Sequence, residues 1–253
     1  MIYNQFSLNN SNLFILVLEL PLPFIFISKL LKMNQKLTGL ENFDKFHLIA
    51  IACSIGFIVL VPIIGSKLNR ENQQKFIMFL IFIGIFQEVI DYIARINFDG
   101  LNLAEDLPLH ICSYALFMSC YALYKKDQFC FEFSYLLGVT GTFIAILTPE
   151  LDDFDGWTMY VTYFIHHSVI PTFSIWNIFI DGMRPRKFSV LYCLIFLAIL
   201  AIPVGIVCWL TGGNYMYLAR IPAVDNPIVF GEWPYYIIYL GLVRGYLYVS
   251  CKT

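Results

Sequence analysis

Long apolar runs, each closed by a short polar turn, repeat along most of this chain and predict helices that cross a membrane. A span needs about 20 apolar residues, and such runs cover residues 46–64, 76–96, 108–124, 131–147, 158–180, 189–210 and 234–250. The expected fold is therefore all-α, a polytopic transmembrane helical bundle with seven core spans. An eighth apolar stretch, residues 13–31, carries Glu19 and the Pro21/Pro23 pair, which breaks or kinks a helix in its first half. The chain thus divides into an amino-terminal segment 1–45, interfacial or spanning, and a seven-helix membrane domain 46–253. No internal repeat is evident.

Composition agrees with the pattern. Hydrophobic residues make up 59% and charged residues 13%, with a mean hydropathy of +0.70, far too apolar for a soluble domain. The net charge of -2 is small and the basic residues sit in short turns, so nucleic acid is excluded as a partner and no soluble protein partner is implied. The seven cysteines form no CxxC pair and most lie within apolar runs, giving neither a disulfide framework nor a thiolate zinc site. No cofactor is called for.

Charge also orients the chain. Turns holding Lys67, Arg70 and Lys75, then Lys125 and Lys126, then Arg184, Arg186 and Lys187 alternate with acidic turns holding Asp99, Glu105 and Asp106, then Glu150, Asp152, Asp153 and Asp155. Basic short loops stay in the cytoplasm. This predicts a multi-pass protein of the cell membrane with a cytoplasmic carboxyl terminus. Lys32, Lys36 and Lys45 run against that orientation and suit an interfacial amino-terminal helix whose lysines reach the headgroups.

Several polar residues lie where a bilayer excludes them, and each marks a candidate site. Glu88, Asp91 and Arg95 recur on one helix face. An Asp91–Arg95 pair at i+4 neutralises itself, whereas Glu88 is left over. Glu88 and Arg244 lie at similar depths, so an ion pair between them is expected. The four histidines, His47, His110, His166 and His167, all fall near the ends of spans on the external side. In EDLPLHIC, Pro108 suits a first helical turn and Asp106 favours the helix dipole, placing His110 among exposed backbone N–H groups able to hold an oxyanion. Cys112 is about 200° around the helix from His110, so any base for its thiol comes from another helix. In YFIHHSVIPTF, Pro171 removes the hydrogen bond to the His167 carbonyl, a kink of the kind that lines a cavity. His47 suits an interfacial anchor or a ligand equally well. In the loops, Thr148, Pro149 and Glu150 stop a helix, and Gly212, Gly213 and Asn214 permit a tight turn into Tyr215.

Taken in order, FHL at 46–48, LPLHIC at 107–112, LTPE at 147–150, FIHHS at 164–168, GGNYMYL at 212–218 and GEWPYY at 231–236 resemble the YwaF-like bacterial integral membrane proteins. The resemblance runs from about Phe46 to the end of the chain. It extends to an animal multispan protein described as a cysteine acyltransferase that remodels ether phospholipids, which implies an acyl-lipid substrate. His110 and His167 match the histidines of the third and fifth spans in that pattern. The thiol position of the animal relative is occupied here by Leu109, and Cys112, one turn deeper on the same face, is the nearest thiol.

These readings converge on a lipid acyltransferase whose partners are membrane phospholipids. Its catalytic residues are His167 as base, Cys112 as nucleophile and His110 at the oxyanion; Glu88, Asp91, Arg244, Asn214 and Tyr215 contact substrate. Two other readings fit the same residues. One is a metal-dependent membrane hydrolase in which His47, His110 and His167 hold zinc. The other is a transporter or lipid-binding protein with no catalysis, lined by Glu88, Asp91 and Arg244.

Overall fold

The computed structural model describes residues 40–98, 100–149, 156–221 and residue 235. Among them six helices run in alternation: α1 (Lys45–Ser66), α2 (Arg70–Phe98), α3 (Ile111–Lys125), α4 (Gln128–Leu147), α5 (Trp157–Phe179) and α6 (Ser189–Thr211). No strand occurs among the described residues. Each short turn reverses the chain, so the basic turns collect at one end of the bundle, where Lys126 bonds Asp181 at 2.5 Å and Gln128 reaches the Arg184 carbonyl at 2.9 Å. The starts of α1, α3 and α5 share the opposite end, which holds all four histidines.

Four helices, α1, α2, α4 and α6, are long and apolar enough to cross a membrane. The expected span 108–124 is instead a 15-residue helix, α3, about 22 Å long and short of the hydrocarbon thickness. Pro108 lies outside it: residues before His110 are irregular, and His110 is the N-cap with extended backbone angles. Helix α5 has the length to span but owes its place to burial, since Thr158, Thr162, His166, His167, Ser168, Thr172, Ser174 and Asn177 along it are all buried. The expected run 234–250, Arg244 within it, and residues 13–31 lie outside the described residues.

The architecture follows from which residues tolerate lipid. Helix α5 packs against α1, α2, α3 and α4, forming the axis of the bundle, while α6 lies at the periphery against α4 through Phe129 and Phe133 on Phe196. Apolar side chains at Met78, Phe79, Phe82, Phe86 and Val89 face outward from α2, and Ile195, Ile199, Ile202 and Ile206 do so from α6. The polar faces therefore point inward, as a lipid solvent requires. A π-helical turn at Ser134–Gly138 lets α4 approach α3 and α5 closely: a Cβ at Gly138 would lie 2.7 Å from Ile170 and 2.9 Å from Ala115. Helices pack in membranes through such small-residue contacts.

At the basic end Glu132, fully buried, accepts from the Arg186 guanidinium at 2.7 and 2.9 Å, from the Arg186 backbone at 2.7 Å and from Gln128 at 2.9 Å. That clamp joins α4 to the turn before α6. The same bonds hold the Arg186 guanidinium above its ordinary ionisation range.

Candidate functional site

Helices α2 and α5 are antiparallel, and their contacts keep one register. Gly84 approaches Val169 closely; three residues later Gln87 meets His166, and four beyond that Asp91 meets Thr162. Each step up α2 is matched by an equal step back along α5. Gly84 also faces Leu116 and Cys120 of α3, which fixes the third helix in the same frame.

Climbing from Gly84 toward the histidine end, the seam turns polar. Glu88 makes a short contact from Oε1 to His166 Nδ1. Gln87 Nε2 donates to the same carboxylate oxygen at 2.7 Å and to the Gly84 carbonyl at 3.2 Å. The other ring nitrogen of His166, Nε2, is buried with no partner among the described residues. One turn up, Asp91 takes a bond from Thr162 Oγ1 at 2.7 Å and from Arg95 Nε at 2.6 Å. The expected i+4 pair is therefore present, and Arg95 has a second partner that spacing alone did not reveal: its Nη1 donates to Asp106 at 2.9 Å. Asp106 also accepts from the Asn102 N–H at 2.7 Å, and its carbonyl accepts from the Tyr92 hydroxyl at 2.7 Å.

These bonds draw the 100–110 segment down to the level of Tyr92 and Arg95. The start of α3 is consequently tied to the end of α2, with His110 just beyond the bonded segment. His110 packs edge-on to Tyr215 and Tyr217, with ring centroids 5.3 and 5.8 Å away, and makes no side-chain cap to its helix. The His110 side chain makes no bond to the first turn of α3, whose Ser113 and Tyr114 N–H groups donate to the His110 carbonyl at 3.1 and 3.4 Å. Cys112, half-buried, lies one turn above Leu116 and packs against the cluster that contains Leu116, Cys120 and Val169.

His167 is also buried, 4.9 Å from His166 and 4.2 Å from Tyr163 between ring centroids. Its Nδ1 donates to the Tyr163 carbonyl at 2.8 Å, which leaves the lone pair on Nε2.

The remaining candidates are placed differently. His47 is fully buried with both ring nitrogens committed: Nε2 donates to the Ile146 carbonyl at 2.9 Å and Nδ1 accepts from the Phe43 N–H at 2.8 Å. It ties α1 to the end of α4 and is not brought together with His110 and His167. Among the described residues no three His, Cys, Asp or Glu side chains form a group able to hold a metal ion. Asn214 spends its amide within its own loop, accepting from the Ala219 and Arg220 N–H groups at 3.1 and 2.8 Å and donating to the Arg220 carbonyl at 3.0 Å. Tyr215 is fully buried; its hydroxyl accepts from the Leu107 N–H at 3.0 Å and donates to the Leu103 carbonyl at 2.8 Å. Burial pushes its ionisation above the usual tyrosine range. The turn that delivers it needs Gly212, whose φ is +75°, and Gly213, where a Cβ would lie 2.5 Å from the Ala104 carbonyl. Glu88, which the sequence paired with Arg244, has His166 and Gln87 as its partners among the described residues.

Gln87 and Thr162 are the polar residues that sequence reasoning passed over, and the contacts of His166 with Glu88 and of Asp106 with Arg95 were not foreseen. The available signal was the seven-residue spacing of Gly84 and Asp91 on α2 and of Thr162 and Val169 on α5, which puts each pair on one helix face.

A lipid-facing exterior around a polar, histidine-bearing interior at one end defines a helical membrane protein. The chain matches the model of the TMEM164 family over residues 42–249 and belongs to that membrane protein family. No curated protein and no solved structure matches it.

Proposed function

We propose that this protein transfers an acyl chain between membrane phospholipids through a thiol and an imidazole in the histidine-end half of its bundle. The observation that carries this reading is the shared layer. From Gly84, Leu116 and Val169 the three helices rise by four, four and three residues, about 4.5–6 Å, to Glu88, Cys112 and His166, with His167 adjacent. Immediately above lies the start of α3 with His110 as its N-cap.

The chemistry needs these parts. A thiol is a weak nucleophile until a neighbouring base takes its proton. With an α5 imidazole as base, Cys112 Sγ attacks the carbonyl carbon of a phospholipid ester. The His110 ring and the positive end of the α3 dipole hold the charge that develops on the carbonyl oxygen. The intermediate collapses with loss of the lysolipid oxygen, which takes the proton back from the imidazole and leaves a thioester on Cys112. A second lysolipid hydroxyl then gives its proton to the imidazole and takes the acyl chain. The resemblance to an ether-phospholipid acyltransferase supports the same substrate class, with Cys112 in place of the thiol whose position Leu109 fills.

The test is transfer in phosphatidylcholine vesicles that carry a labelled acyl chain and a lysophospholipid acceptor. Wild-type protein moves label to the acceptor and holds a hydroxylamine-labile label at Cys112. Cys112→Ala reduces transfer to background. Full transfer by Cys112→Ala overturns the reading.

A further inference from the structure

Within the acyl-transfer reading, we infer that the proton acceptor is His166, oriented by Glu88, with Gln87 holding that carboxylate in place. The two adjacent imidazoles of α5 are not equivalent. The contact between Glu88 and His166 Nδ1 places the ring proton on Nδ1 and leaves the lone pair of Nε2 free to accept. Gln87 bridges the Gly84 carbonyl and the Glu88 carboxylate, so the acid is pinned to its own helix before it meets the ring.

His166 Nε2 is the second observation. It is shielded from solvent, has no partner among the described residues, and belongs to a residue only 8% exposed. A buried polar atom left unsatisfied costs about 1–3 kcal/mol, so a nitrogen kept in that state is poised for a group that arrives with the reaction. His167 differs in its support. Its Nδ1 rests on a backbone carbonyl, a neutral dipole, and its ring lies 4.9 Å from His166, so a second positive charge there has no carboxylate of its own.

Other charged and titratable groups stand around this pair on α2, α3 and α5, and α1 brings His47, whose ring nitrogens are both bonded elsewhere. Helix α2 contributes Asp91 and Arg95, which bond to each other and to Asp106 ahead of α3. Helix α3 and its cap contribute His110, Cys112 and Cys120, and α5 itself contributes Tyr163 and His167. Glu88 is the carboxylate in contact with an imidazole, and an imidazolium formed at His166 is stabilised where it forms. In the first half-reaction the thiol proton passes from Cys112 Sγ to His166 Nε2 as the S–C bond forms. It then passes from Nε2 to the departing oxygen as the ester C–O bond breaks. The second half-reaction reverses each transfer, so protons and bonds balance without a further reactant. Glu88 keeps its charge throughout and is a positioning residue.

Glu88→Gln tests this in the same vesicles, because it preserves shape while removing the charge. The expected result is a fall in kcat of about 100- to 10,000-fold, the usual range for loss of acid–base assistance, with KM changed less than about threefold. Alkylation of Cys112 by iodoacetamide, read by peptide mass spectrometry on folded protein, shifts to higher pH in Glu88→Gln and in His166→Gln. Wild-type alkylation profiles in both variants, with the shift appearing instead in His167→Gln, overturn the assignment while leaving acyl transfer intact. Retained transfer by Cys112→Ala overturns the acyl-transfer reading itself, so the two failures are distinct.

Discussion

The seam between α2 and α5 has two halves built on one geometry. Toward the basic end it is apolar: Phe76 meets Trp176 at 6.0 Å between ring centroids, Leu80 and Phe173 are buried in one cluster, and Gly84 accepts Val169. Toward the histidine end the same register carries Gln87 and Glu88 on His166, then Asp91 on Thr162. Lipid tails are as apolar as leucine, so helices in a bilayer associate by packing and hydrogen bonds, with little hydrophobic drive between them. The apolar half holds the pair by packing. Ionisable groups within a span cost several kcal/mol, and the polar half offsets that cost with hydrogen bonds from Gln87, Thr162 and Arg95. The proposed site draws on that half.

The largest effect is expected from the half that carries stability. Phe173→Ala removes a fully buried ring at the bundle axis and leaves a cavity, lowering stability by about 3–5 kcal/mol. Thermal unfolding of the detergent-solubilised protein measures the loss. Transfer per folded molecule is expected to stay within about twofold, because Phe173 lies two turns along α5 from the proposed proton acceptor His166. A large fall in turnover with stability unchanged would break the distinction between the halves.

Thr162→Val sharpens the comparison from the other side. It removes the hydroxyl that donates to Asp91 at 2.7 Å while retaining shape, and Asp91 keeps Arg95. A hydrogen bond to a charged group contributes about 1.5–3 kcal/mol, so the stability loss is smaller than for Phe173→Ala. The Asp91–Arg95–Asp106 chain holds down the segment that carries His110, so turnover falls about tenfold, roughly 1.4 kcal/mol of barrier. The same two measurements on both variants give a crossed pattern, with stability hit harder in one half and activity in the other.

The bundle was legible because apolar runs of sufficient length have few alternatives, and the ends of α4 at Thr148 and α6 at Gly212 were legible because Pro and Gly stop helices for steric reasons. The Asp91–Arg95 pair was legible from i+4 spacing. Helix α3 was misjudged because hydropathy measures composition and not path: Leu107 to His110 is apolar enough to extend a span, yet Asp106 and Tyr215 tie it into an irregular descent. Glu88 is expected from depth to pair with Arg244, which lies outside the described residues; its contact with His166 was not legible because the two are 78 residues apart. Which of His166 and His167 meets an acid was not legible either, since adjacent residues on a helix point about 100° apart and only the packing decides.

Tyr215→Phe gives the smallest effect and tests whether the polar half is held from outside the seam. The phenol spans two backbone groups of the sunken segment, taking the Leu107 N–H and giving to the Leu103 carbonyl, while its ring packs edge-on to His110. Phenylalanine keeps the ring and its burial and removes both bonds, so the cost is about 1 kcal/mol. Loss of that anchor frees the chain ahead of α3 without disturbing the α2–α5 register, which rests on side chains elsewhere. Hydrogen exchange at the Leu107 amide accelerates by about fivefold to tenfold, whereas exchange in α5 around Thr162 and His166 is unchanged. Faster exchange along α5 as well would show that the seam and the sunken segment open as one unit, and that the polar layer depends on the loop after α6 as much as on its own pairings.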